Sequence, residues 1–186
     1  KGSRHFWARV PVGTSKMIDD PAVNWCYKSE PDEGSGGRRI DVPRGKMMGG
    51  SSSINGMVYM RGQAQDYDHW AQLGNRGWSY QDVLPIFRKM ERYEGGSDAF
   101  RGRSGRLRVT DTPRNKVPLL EKSIEAAGRI GLPFNSDQNG ATQEGIGMSQ
   151  VTIAKGRRQS TAYCYLDPVR SRANFRIDQG AMAEAL

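Results

Sequence analysis

Glycine is the feature that most constrains what this chain can fold into. The chain has 186 residues, of which 23 are glycine, and most of these glycines fall into four clusters. The clusters are Gly34–Gly37, Gly45–Gly56, Gly95–Gly105 and Gly140–Gly147. Glycine weakens helices and strands, but it permits left-handed turns and close approach of the backbone to a ligand. We therefore expect many turns, and ligand contacts within the glycine clusters.

The length and composition limit the classes of protein to which this chain can belong. The length suits one domain with a sizeable core, or two small ones. No apolar run reaches the roughly 18 residues of a membrane-spanning helix, and residues 1–10 lack the apolar segment of a signal peptide. Cys26 and Cys164 are too few for a disulfide scaffold and indicate a reducing compartment, which favours a cytoplasmic location.

The charge leaves two interpretations open. The net charge of +8 is compatible with nucleic acid or another anionic partner. Its arginines are scattered, however, and Arg157-Arg158 is interpreted as a solvated turn. A nucleic-acid-binding domain usually concentrates its basic residues on one face. A basic binding module without catalysis therefore stays the alternative function.

The apolar pattern predicts a mixed α+β structure with few strands. Helices are expected over 66–73, with Asp66 as N-cap, and over 79–94, where Ser79 and Asp82 resemble a capping box. The remaining predicted elements are a helix over 118–130 and strands at 39–42, 106–110, 148–154 and 174–177. These strands are too few for a self-sufficient doubly wound sheet, which suggests that the chain is part of a larger fold.

Several common catalytic patterns are absent from the sequence. It contains neither a G-x-x-x-x-G-K-[ST] phosphate loop nor a G-x-S-x-G nucleophile elbow. His5 and His69 lack neighbouring ligands at metal-binding spacing. We therefore assign no metal ligand and no catalytic residue.

Residues 44–62 form the segment most suited to chemistry. Gly49-Gly50 allows close backbone approach, and the N–H groups around Ser51–Ser53 can hold an anion such as a pyrophosphate. Asn55 can donate and accept hydrogen bonds, and Gly56-Met57-Val58 offers a small apolar surface for a flat ring. The alternative is a Gly/Ser linker, although the segment continues into mostly apolar residues.

This segment resembles the first signature of the glucose-methanol-choline (GMC) family of flavin-dependent oxidoreductases. The matching residues are Gly45, Lys46, Gly49, Gly50, Ser51, Ser52, Ile54, Asn55, Tyr59, Gly62 and Asp68. Met48 departs from the pattern, where an aliphatic residue or Trp is usual. Further similarity to the choline-dehydrogenase-like branch includes Asp66–Trp70, Gly77–Tyr80 and Arg158–Ala162, and the resemblance covers roughly residues 4–177.

The resemblance implies a partial GMC flavoenzyme fold of class α+β. It places an extended region and the flavin loop in residues 1–65, part of the substrate-binding cap in 66–177, and a divergent tail in 178–186. The family's N-terminal βαβ unit, which holds the ADP half of FAD, does not match any part of this sequence. The implied FAD contacts are Met47, Gly49, Gly50, Ser52, Asn55, Gly56, Met57 and Val58. Ile54 stands where some members carry a flavin-linked His, so a non-covalent FAD in an incomplete site is expected.

The resemblance also implies an activity for the parent protein. It is oxidation of a primary alcohol, choline-like or other, to an aldehyde by hydride transfer to flavin. The family's catalytic His has no counterpart at His5 or His69, so the chain alone is expected to be inactive. The expected partners are a small-molecule alcohol and a second copy of the chain, with no nucleic acid.

Overall fold

The computed structural model describes residues 5–112 and 118–181, and its regular elements are short. The α-helices in these ranges are α1 (Thr14–Met17), α2 (Ala64–Gln72), α3 (Tyr80–Met90) and α4 (Pro118–Arg129). The strands are β1 (Tyr27–Lys28), β2 (Asp41–Val42), β3 (Glu91–Arg92), β4 (Leu107–Arg108), β5 (Ile153–Ala154) and β6 (Arg157–Arg158). A π-helix follows at Ala162–Leu166. None of the described helices is long and apolar enough to cross a membrane.

The strands pair locally into small sheets. β1 with β2 and β5 with β6 are antiparallel, whereas β3 with β4 is parallel. Val151 extends this pairing through isolated bridges to Val58 and to Thr110. The α+β class expected from the sequence is confirmed, and the strands form separate two-stranded sheets.

Some predicted boundaries are wrong for identifiable reasons. α3 begins after the expected Ser79 cap, where Ser79 N donates to Asp82 Oδ2 at 3.2 Å, but it ends at Met90 because Glu91 turns to extended backbone. Asp66 is not the N-cap of α2. It is the third helical residue, and it accepts a 2.8 Å bond from the N–H of Gln63. Residues 174–177 form no strand.

A small apolar core anchors the segment that the sequence singled out. Ala8, Met17, Val23 and Ile54 are buried together, and Met47 packs against them. Ile54 is 2% exposed. The side chain of Ile54 therefore attaches the glycine-rich loop, which we define as residues 49–58, to the N-terminal region.

A second buried cluster consists of polar side chains, and Glu91 lies at its centre. The Glu91 side chain is fully buried, and its Oε1 accepts from Arg101 Nε at 2.9 Å and from Gly102 N at 2.7 Å. Arg61 Nη2 lies 2.7 Å from the same oxygen. Gly102 has no room for a side chain, because a Cβ there would lie 1.8 Å from Arg88 O. One carboxylate thus joins the end of α3 to segments before and after it.

Polar groups extend this centre toward the 135–150 region. Arg101 Nη1 donates to Gln150 Oε1 at 2.9 Å and also contacts the carboxylate of Asp137. Asn139 Oδ1 accepts from Arg61 N at 2.8 Å, while Asn139 Nδ2 donates to Gln150 Oε1 at 2.9 Å. Each of the two guanidinium groups of this centre, those of Arg61 and Arg101, therefore has a carboxylate partner.

The electrostatics of Glu91 follow from these contacts. Burial on its own raises the pKa of Glu91, but the hydrogen bonds from Arg101 and Gly102 and the two arginine charges outweigh it, so the pKa is lowered. A lowered folded-state pKa stabilises the fold above the unfolded pKa of about 4.3. That stabilisation is lost as the pH falls through the folded-state value.

We expect Glu91→Gln to destabilise the chain by about 3–5 kcal/mol, because it leaves two buried arginines short of negative charge. Urea unfolding measures this loss, and the wild-type advantage should shrink as the pH falls below about 4. Glu94→Gln is the matched control, since Glu94 is exposed. If both substitutions lowered the free energy of unfolding by equal, small amounts, Glu91 would not be the centre of the buried ion pairs.

Candidate functional site

The glycine-rich loop takes a conformation that requires glycine. Gly49 and Gly50 have φ values of +87° and +53°, and the backbone then forms a single 3-10 turn over Gly50–Ser53. A Cβ on Gly49 would lie 2.5 Å from Ser53 Oγ and 3.0 Å from Ala162 Cβ. Gly49 therefore serves both the turn and the close contact with the later helical segment.

Ser52 links the loop to that helical segment. Its Oγ donates to Gly49 O at 2.5 Å and accepts from Thr161 N at 2.9 Å. Thr161 Oγ1 in turn lies 3.2 Å from Gly49 O. The Ser52 hydroxyl is thus already used within the protein, and its contribution to the site is to fix the loop.

Arg158 holds the second half of the loop. Its Nη1 donates to Asn55 O at 2.7 Å and to Asn55 Oδ1 at 2.8 Å, and its Nη2 donates to Thr14 Oγ1 at 2.6 Å. A longer bond of 3.3 Å reaches Ser52 O. Arg158 is 1% exposed, so its interpretation as part of a solvated turn is wrong. One guanidinium joins α1, the loop and β6.

The charge of Arg158 is not balanced nearby. Within the described ranges, none of its ion-pair or hydrogen-bond partners is a carboxylate. Burial lowers the pKa of Arg158 to about 10, which leaves it protonated at neutral pH. The loop therefore sits over a buried positive charge, which favours an anionic or electron-accepting group beside it.

The segment 55–58 presents polar groups outward. Asn55 Oδ1 is bound by Arg158 and by Met57 N at 3.1 Å, so the Nδ2 amide, which has no partner among the described residues, is left as a donor. A Cβ on Gly56 would meet nothing within 4 Å. Val58 forms an isolated antiparallel bridge with Val151. The hydrogen bonds of this bridge run from Tyr59 N to Gln150 O and from Thr152 N to Met57 O. The N–H and C=O of Val58 itself therefore point away from Val151.

Met47, just before the loop, and Met57, within it, face inward. Met57 is 6% exposed and has φ +64°, an uncommon conformation that costs a bulky residue on the order of 1 kcal/mol. Met47 packs on the apolar core. The Met57 N–H and C=O are bound within the protein by Asn55 Oδ1 and Thr152 N. The exposed apolar side chain of this segment is therefore that of Val58, which is 57% exposed.

Three residues that bind this loop were not predicted from the sequence: Thr14, Arg158 and Thr161. Arg158 and Thr161 lie in the Arg158–Ala162 stretch that carried part of the family resemblance, but no pattern in the sequence indicates that they contact residues 49–55. A cavity of about 290 Å³ lies elsewhere, between the start of α2 and residues 138–144, and the loop does not line it. No group of acidic, His or Cys side chains in the described ranges is arranged to hold a metal ion.

Comparison with known proteins identifies the family. The family model described as GMC oxidoreductase matches residues 13–186. The chain belongs to the GMC oxidoreductase family. The partial GMC fold inferred from the signature residues is therefore confirmed.

The most informative relatives are enzymes of this family. The chain is 49% identical over 169 residues to the oxygen-dependent choline dehydrogenase of Sinorhizobium fredii, covering 91% of this chain and 31% of that protein. It is 45% identical over 172 residues to the protein of the same name from Brucella ovis, covering 92% of this chain and 31% of that protein. The chain thus spans about a third of the length of the curated relatives that it matches.

Solved structures show the same partial coverage. The pyridoxine 4-oxidase from Mesorbium loti matches with a TM-score of 0.84 and 30% identity, over 91% of this chain and 34% of that one. An FAD-dependent oxidoreductase from Chaetomium thermophilum matches with a TM-score of 0.78 and 30% identity, over 92% of this chain and 31% of that one. The fold described here is therefore shared with flavoenzymes.

We expect Arg158→Met to destabilise the chain by about 2–4 kcal/mol, because it removes the donors that satisfy Asn55 and Ser52. Urea unfolding gives the free energy of unfolding. Arg157→Met is the neighbouring control, and it should cost less, since Arg157 makes no bond to the loop. An Arg158→Met loss no larger than that of the control would contradict the role assigned to Arg158.

Proposed function

We propose that this chain supplies the flavin-contacting loop of an FAD-dependent oxidoreductase. Segment 55–58 carries the proposal, because it combines outward hydrogen-bonding groups, an open side at Gly56 and an exposed Val58 side chain. Two structural matches are a pyridoxine 4-oxidase and an enzyme whose name states FAD dependence. The second name supports FAD as the group that this loop binds, and the first supports an oxidation reaction.

The described residues fit a flat cofactor. The Asn55 amide and the Val58 N–H would donate to ring acceptors, and the Val58 side chain would lie against an apolar face. Gly49, Gly50 and Ser52 would shape the turn, while Met47 and Met57 would support it through their inward-facing side chains. Ile54 is buried in the core, which supports non-covalent attachment.

The proposed reaction is oxidation of a primary alcohol to an aldehyde by hydride transfer. When bound, FAD supplies the two-electron acceptor for that chemistry. The buried positive charge of Arg158 would stabilise negative charge that develops on a group bound beside the loop. The relatives named choline dehydrogenase support a small, choline-like alcohol as substrate.

We assign no catalytic base within this chain. His69 is exposed on α2, and no described contact brings His5 or His69 to the loop. The proposal for the chain is therefore cofactor contact, and turnover is proposed only for the larger enzyme.

We expect Gly56→Leu to abolish or weaken flavin binding at least tenfold, because the new side chain would fill the open side of the loop without clashing inside the protein. Titration of FAD followed by flavin fluorescence measures the affinity, and acid precipitation should release all of the flavin.

Gly128→Leu is the matched control, since a Cβ on this helical glycine also meets nothing within 4 Å. It should bind FAD as the wild type does. Unchanged binding by Gly56→Leu, or no binding by the wild type, would overturn the proposed contact.

A further inference from the structure

A basic pocket lies beside the parallel pair of strands β3 and β4. We call it the arginine pocket, and its volume is about 370 Å³. Its lining includes Arg92, Arg106, Arg108, Tyr163, Cys164 and Asp167. Neither the sequence motifs nor the proposed flavin contacts involve these residues.

Strand geometry brings the three arginines together. Arg92 and Arg108 are direct neighbours in the parallel register. Arg106, in the bend just before β4, lines the same pocket. Leu107 and Val109 alternate with them and are buried on the opposite face. Like charges placed side by side on a sheet repel each other, so the arrangement is costly unless an anion lies between them.

Within residues 5–112 and 118–181, ion pairs do not balance these three arginines. Among the described residues no carboxylate forms an ion pair with Arg92, Arg106 or Arg108. Asp167 is bound by Arg170 Nε at 2.9 Å. Burial raises the pKa of Cys164 to about 11, which keeps its thiol neutral at neutral pH. The pocket therefore carries a net positive charge.

Arg157 adds to this charge at the edge of the pocket. Its guanidinium lies over the Tyr163 ring, 3.7 Å from the ring centroid. Its Nε is buried and has no hydrogen-bond partner among the residues that the structure describes. Stacking on an aromatic ring holds a guanidinium in place, and its N–H groups, which lie in the guanidinium plane, stay available to donate hydrogen bonds.

The arginine pocket and the flavin loop lie on different sides of the segment 161–167. Thr161 N and the Ala162 side chain approach Gly49 and Ser52. Tyr163, Cys164 and Asp167 line the pocket instead. A ligand in the pocket would therefore use none of the contacts proposed for the flavin ring.

We propose that the arginine pocket binds a phosphate or pyrophosphate group of a small molecule. Guanidinium groups bind phosphate oxygens through paired, charge-assisted hydrogen bonds. Two sources carry this chemistry: a free phosphorylated compound, and the pyrophosphate of a dinucleotide cofactor.

The test is calorimetric titration of the chain with inorganic pyrophosphate at low salt. The wild type should bind saturably, and the variant Arg106→Gln/Arg108→Gln should bind at least tenfold more weakly. Arg76→Gln/Arg129→Gln has the same net charge, changes two exposed arginines outside the pocket, and should bind as the wild type does. If circular dichroism shows that the pocket variant is unfolded, Arg92→Gln, at an exposed position, takes its place.

No binding by the wild type, or equal weakening in both double variants, overturns the proposal. Binding of duplex DNA that persists in the pocket variant, without pyrophosphate binding, would replace it by a general basic surface. Displacement of pyrophosphate by FAD but not by riboflavin would assign the pocket to a dinucleotide. Pyrophosphate binding that FAD leaves unchanged would assign the pocket to a separate phosphorylated compound. These results are independent of the ring contacts tested by Gly56→Leu.

Discussion

The Arg158 guanidinium is the interaction on which the candidate site depends. It binds Asn55 through both the backbone and the side-chain oxygen, and it reaches Thr14 on α1. Because Asn55 Oδ1 is held inward, its amide donor is left for a ligand. The outward polarity of the loop is therefore set by a residue 103 positions later in the chain.

Buried arginines serve two different purposes in this fold. Arg101 lies between Glu91 and Asp137, and this balanced centre fixes the segments around α3. Arg158 has only neutral oxygens as partners among the described residues, so its charge remains available to act on a neighbouring group. A buried ion pair adds structural specificity, whereas a buried single charge biases the electrostatics of a site.

Local patterns in the sequence predict local features well. Ser79 and Asp82 predict the start of α3, and the spacing of glycines and serines locates the loop at 49–58. The end of α3 was not predictable, because Glu91 leaves the helix for partners ten and more residues away. Arg158 looked like a surface residue because its partners, Thr14 and Asn55, are distant in sequence. The inward direction of Met57 likewise follows from the bridge between Val58 and Val151.

The central claim is that segment 55–58 is the surface that meets the flavin ring. Amide chemical shifts of the ¹⁵N-labelled chain, recorded during titration with FAD, test it most directly. The account predicts that the largest shifts fall on the Gly56 and Val58 amides and on the Asn55 side-chain amide. Shifts confined to the cavity between α2 and residues 138–144, or no shifts under saturating FAD, would contradict it.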